Sequence, residues 1–140
     1  MSRVFWDTNL YIYLFEGHSS PAKRVAEVRR SMLSRGDQLL TSTLTLGEIL
    51  VKPTESGDTE LAGKYEEAIC ASSLLIPFDT KSARIYASLR SDRSLRVPDA
   101  MQLACAAAAG VDLFITNDDR LATKQVRGIQ FVVSLDRAPL

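Results

Sequence analysis

The sequence predicts an α/β domain built on a parallel sheet with helices over both faces. Three observations carry that expectation. Five short apolar runs alternate with helical segments along the 140 residues, the order that parallel βαβ units impose. The runs Leu74-Leu75-Ile76, Leu113-Phe114-Ile115 and Phe131-Val132-Val133 are apolar at every position rather than at every second one, as burial on both faces of a strand requires. The alanines at 104 and 106 to 109 let one helix lie close on the sheet.

Taken in order, Val4-Phe5-Trp6 is a buried strand ended by Asp7. Leu10 to Phe15 follows as a short apolar helix that Gly17 stops. Pro21 to Leu33 has apolar residues at Ala22, Val25, Ala26, Met32 and Leu33 with basic residues between them. That is an amphipathic helix with Ser20 as its cap and Pro21 at its first position, closed by Gly36. Gln38 to Thr41 is the second strand. A helix over Thr43 to Val51 is expected to end near Lys52, because Pro53 pushes the residue before it out of the helical region. Thr59 to Ala71 is the next helix, after a Gly57-Asp58 turn and cap. Leu74 to Phe78 is the third strand, Lys81 to Arg90 a helix capped by Asp79 or Thr80, and Pro98 to Ala109 a helix stopped by Gly110. Leu113 to Thr116, a short helix over Asp119 to Lys124 and a strand over Ile129 to Val133 complete the chain. No linker, repeat or low-complexity stretch interrupts it, so residues 1–140 read as a single domain.

Composition narrows the function classes. Hydrophobic residues make up 46% and charged residues 24%, the balance of a soluble globular protein. A chain of this length buries roughly two thirds of its unfolded surface and needs no disulfide or structural metal for a core. Lys plus Arg and Asp plus Glu are 17 each, which argues against a highly basic histone-like protein. The charge is segregated, however. Lys23, Arg24, Arg29, Arg30 and Arg35 face only Glu27, and Lys81, Arg84, Arg90, Arg93 and Arg96 face only Asp92. Either run alone reads as a solvated helix face. Cys70 and Cys105 form no disulfide framework or zinc knuckle and read as buried free thiols. Met1 to Asp7 has no apolar h-region, and the longest apolar run, Leu103 to Ala109, is too short to span a bilayer. The expected location is the cytoplasm, with no membrane association. The single histidine, His18, lies in a loop. It excludes a three-histidine zinc site, and a Ser-His-Asp triad or Cys-His dyad would have to use that one loop residue.

The acids are placed more tellingly. Ligands of a doubly wound parallel sheet bind at the carboxyl ends of its strands. Asp7 closes the first strand, and Asp118 and Asp119 follow the fourth. Asp99 opens the Pro98 helix, and Glu48 sits in the apolar helix Leu44-Thr45-Leu46-Gly47-Glu48-Ile49-Leu50-Val51. Singly, each aspartate reads as a helix cap or first-turn acid. Glu48 needs a partner or a place at the rim of its face. Together, converging carboxylates repel and raise one another's pKa, a cost that a hard divalent cation removes. Without histidine or thiolate ligands, Mg²⁺ or Mn²⁺ suits the set better than Zn²⁺. Such a site fits phosphodiester hydrolysis, and flanking Arg and Lys could hold a nucleic-acid backbone.

Four motifs, Trp6-Asp7-Thr8-Asn9, Leu46-Gly47-Glu48-Ile49, Pro98-Asp99-Ala100-Met101-Gln102-Leu103-Ala104 and Phe114-Ile115-Thr116-Asn117-Asp118-Asp119-Arg120-Leu121, resemble the PIN-domain ribonucleases. The likeness is to the VapC-type toxins of toxin–antitoxin modules in particular, and it runs from Val4 to about Val133. It implies a five-stranded parallel sheet of order 3-2-1-4-5, with Asp7 and Asp118 on adjacent strands. It also implies an endoribonuclease dependent on Mg²⁺ or Mn²⁺, with Asp7, Glu48, Asp99 and Asp118 as catalytic acids and Asp7, Asp99 and Asp118 holding metal. Asn9 and Thr116 fall at polar family positions that orient acids or water, with Asp119 beside them in support. A homodimer and a small inhibiting antitoxin follow from the same likeness. Arg84, Arg90, Arg93 and Arg96 are the expected RNA contacts, because their segment leads into Asp99. Two rivals weigh less. A haloacid-dehalogenase-type phosphatase needs a second aspartate where Asn9 stands. A non-catalytic binding module would have no use for four acids. A housekeeping RNA-processing nuclease remains the alternative role.

Overall fold

A computed structural model describes all residues from Met1 to Leu140. Its strands are β1 (Arg3–Trp6), β2 (Gln38–Ser42), β3 (Leu74–Ile76), β4 (Val111–Thr116) and β5 (Ile129–Ser134). The helices are α1 (Thr8–Glu16), α2 (Ser20–Arg35), α3 (Thr43–Glu55), α4 (Thr59–Ser72), α5 (Thr80–Leu89) and α6 (Val97–Ala109). The strands form one sheet in the order β3-β2-β1-β4-β5. Every pairing is parallel, as the apolar runs predict.

Successive residues of a strand face opposite sides, and β1 divides its side chains accordingly. Val4 and Trp6 enter a core with Leu10, Tyr11, Val25, Val28 and Met32 from α1 and α2. Phe5 faces the other side with Leu103 and Ala106 of α6, its ring stacked on Phe114 at 5.1 Å. The outer strands have neighbours on one side only. Phe131 on β5 and Leu74 on β3 are therefore exposed, although their sequence reads as doubly buried.

The cap of α2 is Ser19 rather than Ser20, its hydroxyl accepting the Ala22 N–H at 3.2 Å, and other boundaries also differ from expectation. Pro53 does not end α3, which runs on to Glu55. A proline inside a helix loses its N–H bond and crowds the carbonyl one turn back, but its φ is helical. Here Pro53 is buried, and the Ser56 hydroxyl donates to the carbonyls of Lys52 and Pro53. The helix expected over Asp119 to Lys124 is a single 3-10 turn at Leu121–Thr123. The third strand stops at Ile76 rather than Phe78. Cys105 is buried, but Cys70 is exposed on α4. No helix is long and apolar enough to cross a membrane.

Candidate active site

Register places the first acid. Trp6 pairs with Ile115 across β1 and β4, and the Asp7 N–H continues the ladder to the Ile115 carbonyl at 3.0 Å. Asp7 and Thr116 therefore meet at the carboxyl ends of adjacent central strands, where the strand order reverses. The buried Asp7 carboxylate accepts from the Thr8 N–H at 2.9 Å and from the Thr116 hydroxyl at 2.8 Å. Burial pushes its pKa up to about 6. The two hydrogen bonds pull the other way, and the charges of Asp99 and Glu48 add to the rise.

The same Thr116 hydroxyl oxygen accepts the Asp118 N–H at 3.1 Å. One side chain thus ties the first and last acids of the set. Arg96 joins the third, reaching Asp99 through Nε at 3.4 Å and Asp118 through a terminal nitrogen at 3.5 Å. Arg120 lies at 3.2 Å from Asp118 and, chiefly by hydrogen bonding, holds that carboxyl below the usual range. Glu48 is exposed at the rim, and its partner is the Thr8 hydroxyl, which donates to it at 2.8 Å. A cavity of about 360 Å³ opens beside Asp99 and Asp118, with Leu95 and Leu121 among its apolar walls and Arg120 and Lys124 at its edge.

The acids are linked in pairs, through hydroxyls and a guanidinium; no three of them stand close enough to grip one ion as they are placed. Their chemistry fits a hard cation nonetheless. Every donor is a carboxylate or hydroxyl oxygen, the preference of Mg²⁺ and Mn²⁺. Asp7 carries a buried negative charge with hydrogen-bond donors but no cationic partner, which a metal ion would supply. Arg96 and Arg120 pair with Asp99 and Asp118 instead.

Of the other residues marked in the sequence, Asn9 and Asp119 are exposed beside the acids. Arg84 and Arg93 are exposed. Arg90 is half-buried and donates to the Leu95 carbonyl at 2.5 Å, so its guanidinium holds the α5–α6 loop. Lys124 secures the same loop from the other side, reaching Asp92 at 2.9 Å and Ser94 at 2.6 Å. On α2, Arg24 anchors the C-terminal segment through the Ala138 carbonyl at 2.8 Å.

Sequence reasoning missed a buried polar group under the acids: Thr8, Thr41, Ser42, Thr45 and Gln102. Two signals were present. Thr41 to Thr45 holds four hydroxyl residues at a strand end, and Gln102 is the one polar residue in Ala100-Met101-Gln102-Leu103-Ala104.

The chain belongs to the PIN domain family: residues 4–126 match the PIN domain. None of the curated proteins matches it in sequence. Among solved structures, VapBC2 from Rickettsia felis bound to a DNA fragment from its promoter is similar with a TM-score of 0.73 and 17% identity, covering 94% of this chain and 98% of that one. DNA-bound VapBC from Salmonella typhimurium gives 0.72 and 20%, covering 96% and 99%. VapBC-5 from Mycobacterium tuberculosis, of the VapBC family of toxin–antitoxin systems, gives 0.62 and 19%, covering 95% and 99%. At these identities the likeness is one of fold.

Proposed function

We propose that this protein is a metal-dependent endoribonuclease and the toxin of a toxin–antitoxin pair. The observation that carries the reading is the placement of Asp7 and Asp118 on one Thr116 hydroxyl at the switch in strand order, with Asp99 linked to Asp118 through Arg96. Asp7, Asp99 and Asp118 would hold Mg²⁺ or Mn²⁺. Such an ion orients water, lowers its pKa and stabilises charge on the attacked phosphate. Thr116 keeps Asp7 turned toward Asp118. Glu48, which accepts a hydrogen bond from the Thr8 hydroxyl, completes the catalytic set of acids. Arg84, Arg93 and Arg96 offer cations along the path that RNA phosphates would follow into the cavity, and Arg90 keeps that loop in shape.

The partner reading draws on the names of the similar structures, which are VapBC toxin–antitoxin systems. It also draws on an apolar groove of about 450 Å³ beside Glu48, lined by Ile12 and Phe15 of α1, Ile49 and Val51 of α3 and Leu61 and Tyr65 of α4. An amphipathic antitoxin helix suits it. A homodimer acting in the cytoplasm completes the proposal.

The test is cleavage of a labelled RNA by the purified wild type and by Asp7→Asn, each with Mg²⁺, with Mn²⁺ and with chelator. Cleavage by the wild type with metal alone is expected. Equal cleavage by both proteins, or cleavage in chelator, would overturn the assignment.

A further inference from the structure

Under the acids, hydrogen bonds run in a chain through four elements and leave the core at one place. Gln102 on α6 is 1% exposed. Its amide nitrogen donates to the Thr8 hydroxyl at 2.9 Å and to the Thr45 hydroxyl at 2.7 Å. Its amide oxygen accepts from the Ser42 hydroxyl at 2.5 Å. Thr8 and Thr45 lie 3.1 Å apart. The Thr41 hydroxyl, 2.9 Å from the Thr45 hydroxyl, closes the inner end on the Trp6 carbonyl at 2.9 Å. The outer end is Glu48, 2.8 Å from the Thr8 hydroxyl.

The directions of these bonds follow from Glu48. A carboxylate only accepts, so the single Thr8 proton is committed to it. Thr8 can then only accept from Gln102, which fixes the amide nitrogen toward Thr8 and Thr45 and the amide oxygen toward Ser42. The two amide protons are both used, and so is each hydroxyl. A buried glutamine costs stability unless every polar atom finds a partner, and an apolar residue would fill this site in the alanine-rich α6 more simply. The glutamine earns its place by what it does to the outer end.

We infer that Gln102 is a positioning residue: it orients the Thr8 hydroxyl so that it donates to Glu48 and holds that carboxylate beside Asp7. Thr8 is the immediate neighbour of Asp7, whose carboxylate accepts the Thr8 N–H. The backbone and the side chain of one residue therefore serve two acids, and Gln102 sets the side-chain half. The inference rests on the nuclease reading for its kinetic consequence, but its structural content is independent of it.

The test compares Thr8→Val, Thr8→Ser and Gln102→Met. Valine keeps the shape of threonine without the hydroxyl, and serine keeps the hydroxyl. The first readout is the carboxyl carbon resonance of Glu48 in metal-free protein. It should move in Thr8→Val and in Gln102→Met and return in Thr8→Ser. The second is turnover of an RNA oligonucleotide with Mn²⁺, where kcat should fall by up to about 100-fold in the first two variants with KM kept, the scale of a misplaced catalytic group. Thr8→Ser should restore it. An unmoved Glu48 resonance in folded Thr8→Val or in folded Gln102→Met overturns the inference, as does a loss of kcat that valine and serine share equally. If Gln102→Met fails to fold, Gln102→Asn, which keeps an amide but draws it back from the Thr8 hydroxyl, is read in its place with the same expectation. If the wild type cleaves no RNA, the nuclease reading fails and the Glu48 resonance decides the positioning by itself.

Discussion

Thr116 gives its hydroxyl proton to Asp7 at 2.8 Å and takes the Asp118 N–H on the same oxygen at 3.1 Å. The contact joins two carboxylate-bearing loops that lie 111 residues apart in the sequence, because β1 and β4 are neighbours in the sheet. It also leaves Asp7 buried with no cationic partner, and that has a measurable consequence.

Burial pushes the Asp7 pKa up to about 6 in the folded chain, from an ordinary value of 3.8. The folded state therefore holds this proton more tightly than the unfolded one. The contribution of Asp7 is most favourable below pH 4 and is lost as pH rises through 6, a span of about 3 kcal/mol at 1.36 kcal/mol per unit. Asp92, held down to about 2 by bonds from Ser94 and Lys124, and Asp118 act in the opposite sense, so the difference between two proteins isolates Asp7. Without metal, wild type should lose stability relative to Asp7→Asn between pH 4 and 7 in urea titrations. The gain in the variant is smaller than the full span, because an amide supplies one acceptor for two donors. Parallel curves for the two proteins would place the charge of Asp7 elsewhere.

Metal should reverse that loss. A ligand at a hundredfold excess over its Kd that binds only the folded state adds about 2.7 kcal/mol. Mn²⁺ or Mg²⁺ should raise the melting temperature of the wild type and leave Asp99→Asn unmoved. Equal shifts in both proteins would show that the ion binds at other acids.

Much of this was legible in the sequence, and the reasons are physical. Continuous apolar runs gave the parallel sheet because burial on both faces removes the alternation that marks other strands. Four short motifs carry the acids, Asp7 and Asp118 at strand ends and Glu48 and Asp99 on helices, so each can be named from the sequence before any contact is known. What could not be read was pairing across the sequence. Arg96 reads in the sequence as an RNA contact, and its pairing with Asp99 and Asp118 is not written there; nor is the bond from Arg90 to the Leu95 carbonyl. Gln102 escaped because its three partners come from α1, β2 and α3, and no local pattern announces such a meeting. Pro53 misled because the rule for the residue before proline is statistical, and burial of the ring with a Ser56 cap outweighed it.

Gly128 offers a test of the packing beneath the β4–β5 edge. Its φ is +99°, and a Cβ there would meet the Ala107 carbonyl oxygen at 2.7 Å. Neither α6 backbone nor strand can yield cheaply. Gly128→Ala should destabilise by about 2 kcal/mol or more, from strain of roughly 1–3 kcal/mol with the clash added. Gly47 lies inside α3 with nothing within 4 Å of the added atom, so Gly47→Ala should stabilise by about 0.5–1 kcal/mol. Chemical denaturation measures both, and a neutral Gly128→Ala would contradict this approach of α6.

Arg93 and Arg96 stand in the loop that leads into Asp99. Arg96 is two-thirds exposed even while paired, so a cation taken up by Asp99 and Asp118 would release it toward a phosphate. Each phosphate contact removed should flatten the dependence of log affinity on log salt by about one unit. Binding of RNA to the Asp7→Asn background, with and without Arg93→Ala and Arg96→Ala, should therefore show a slope reduced by about two. An unchanged slope would put the RNA on another face, such as the basic side of α2.

A groove between α1, α3 and α4 offers a place from which a partner could restrain such an enzyme. That groove is apolar along Ile12, Phe15, Ile49 and Tyr65, with the two carboxylates of Glu16 and Glu48 against the single cation of Lys52 in its lining, which suits a partner helix carrying one basic residue. A base placed there would neutralise Glu48 and crowd the acids beyond it, so the partner would stop catalysis without unfolding anything. Expression of the wild type from a tight promoter should arrest growth, Asp7→Asn should not, and co-expression of a small neighbouring protein with a basic amphipathic helix should rescue. Ile12→Asp, in the groove and away from Asp7, should keep the arrest and lose the rescue. Normal growth of the native host expressing the wild type, after its neighbouring gene is deleted, would remove the toxin role and leave a housekeeping RNA-processing nuclease as the reading to pursue.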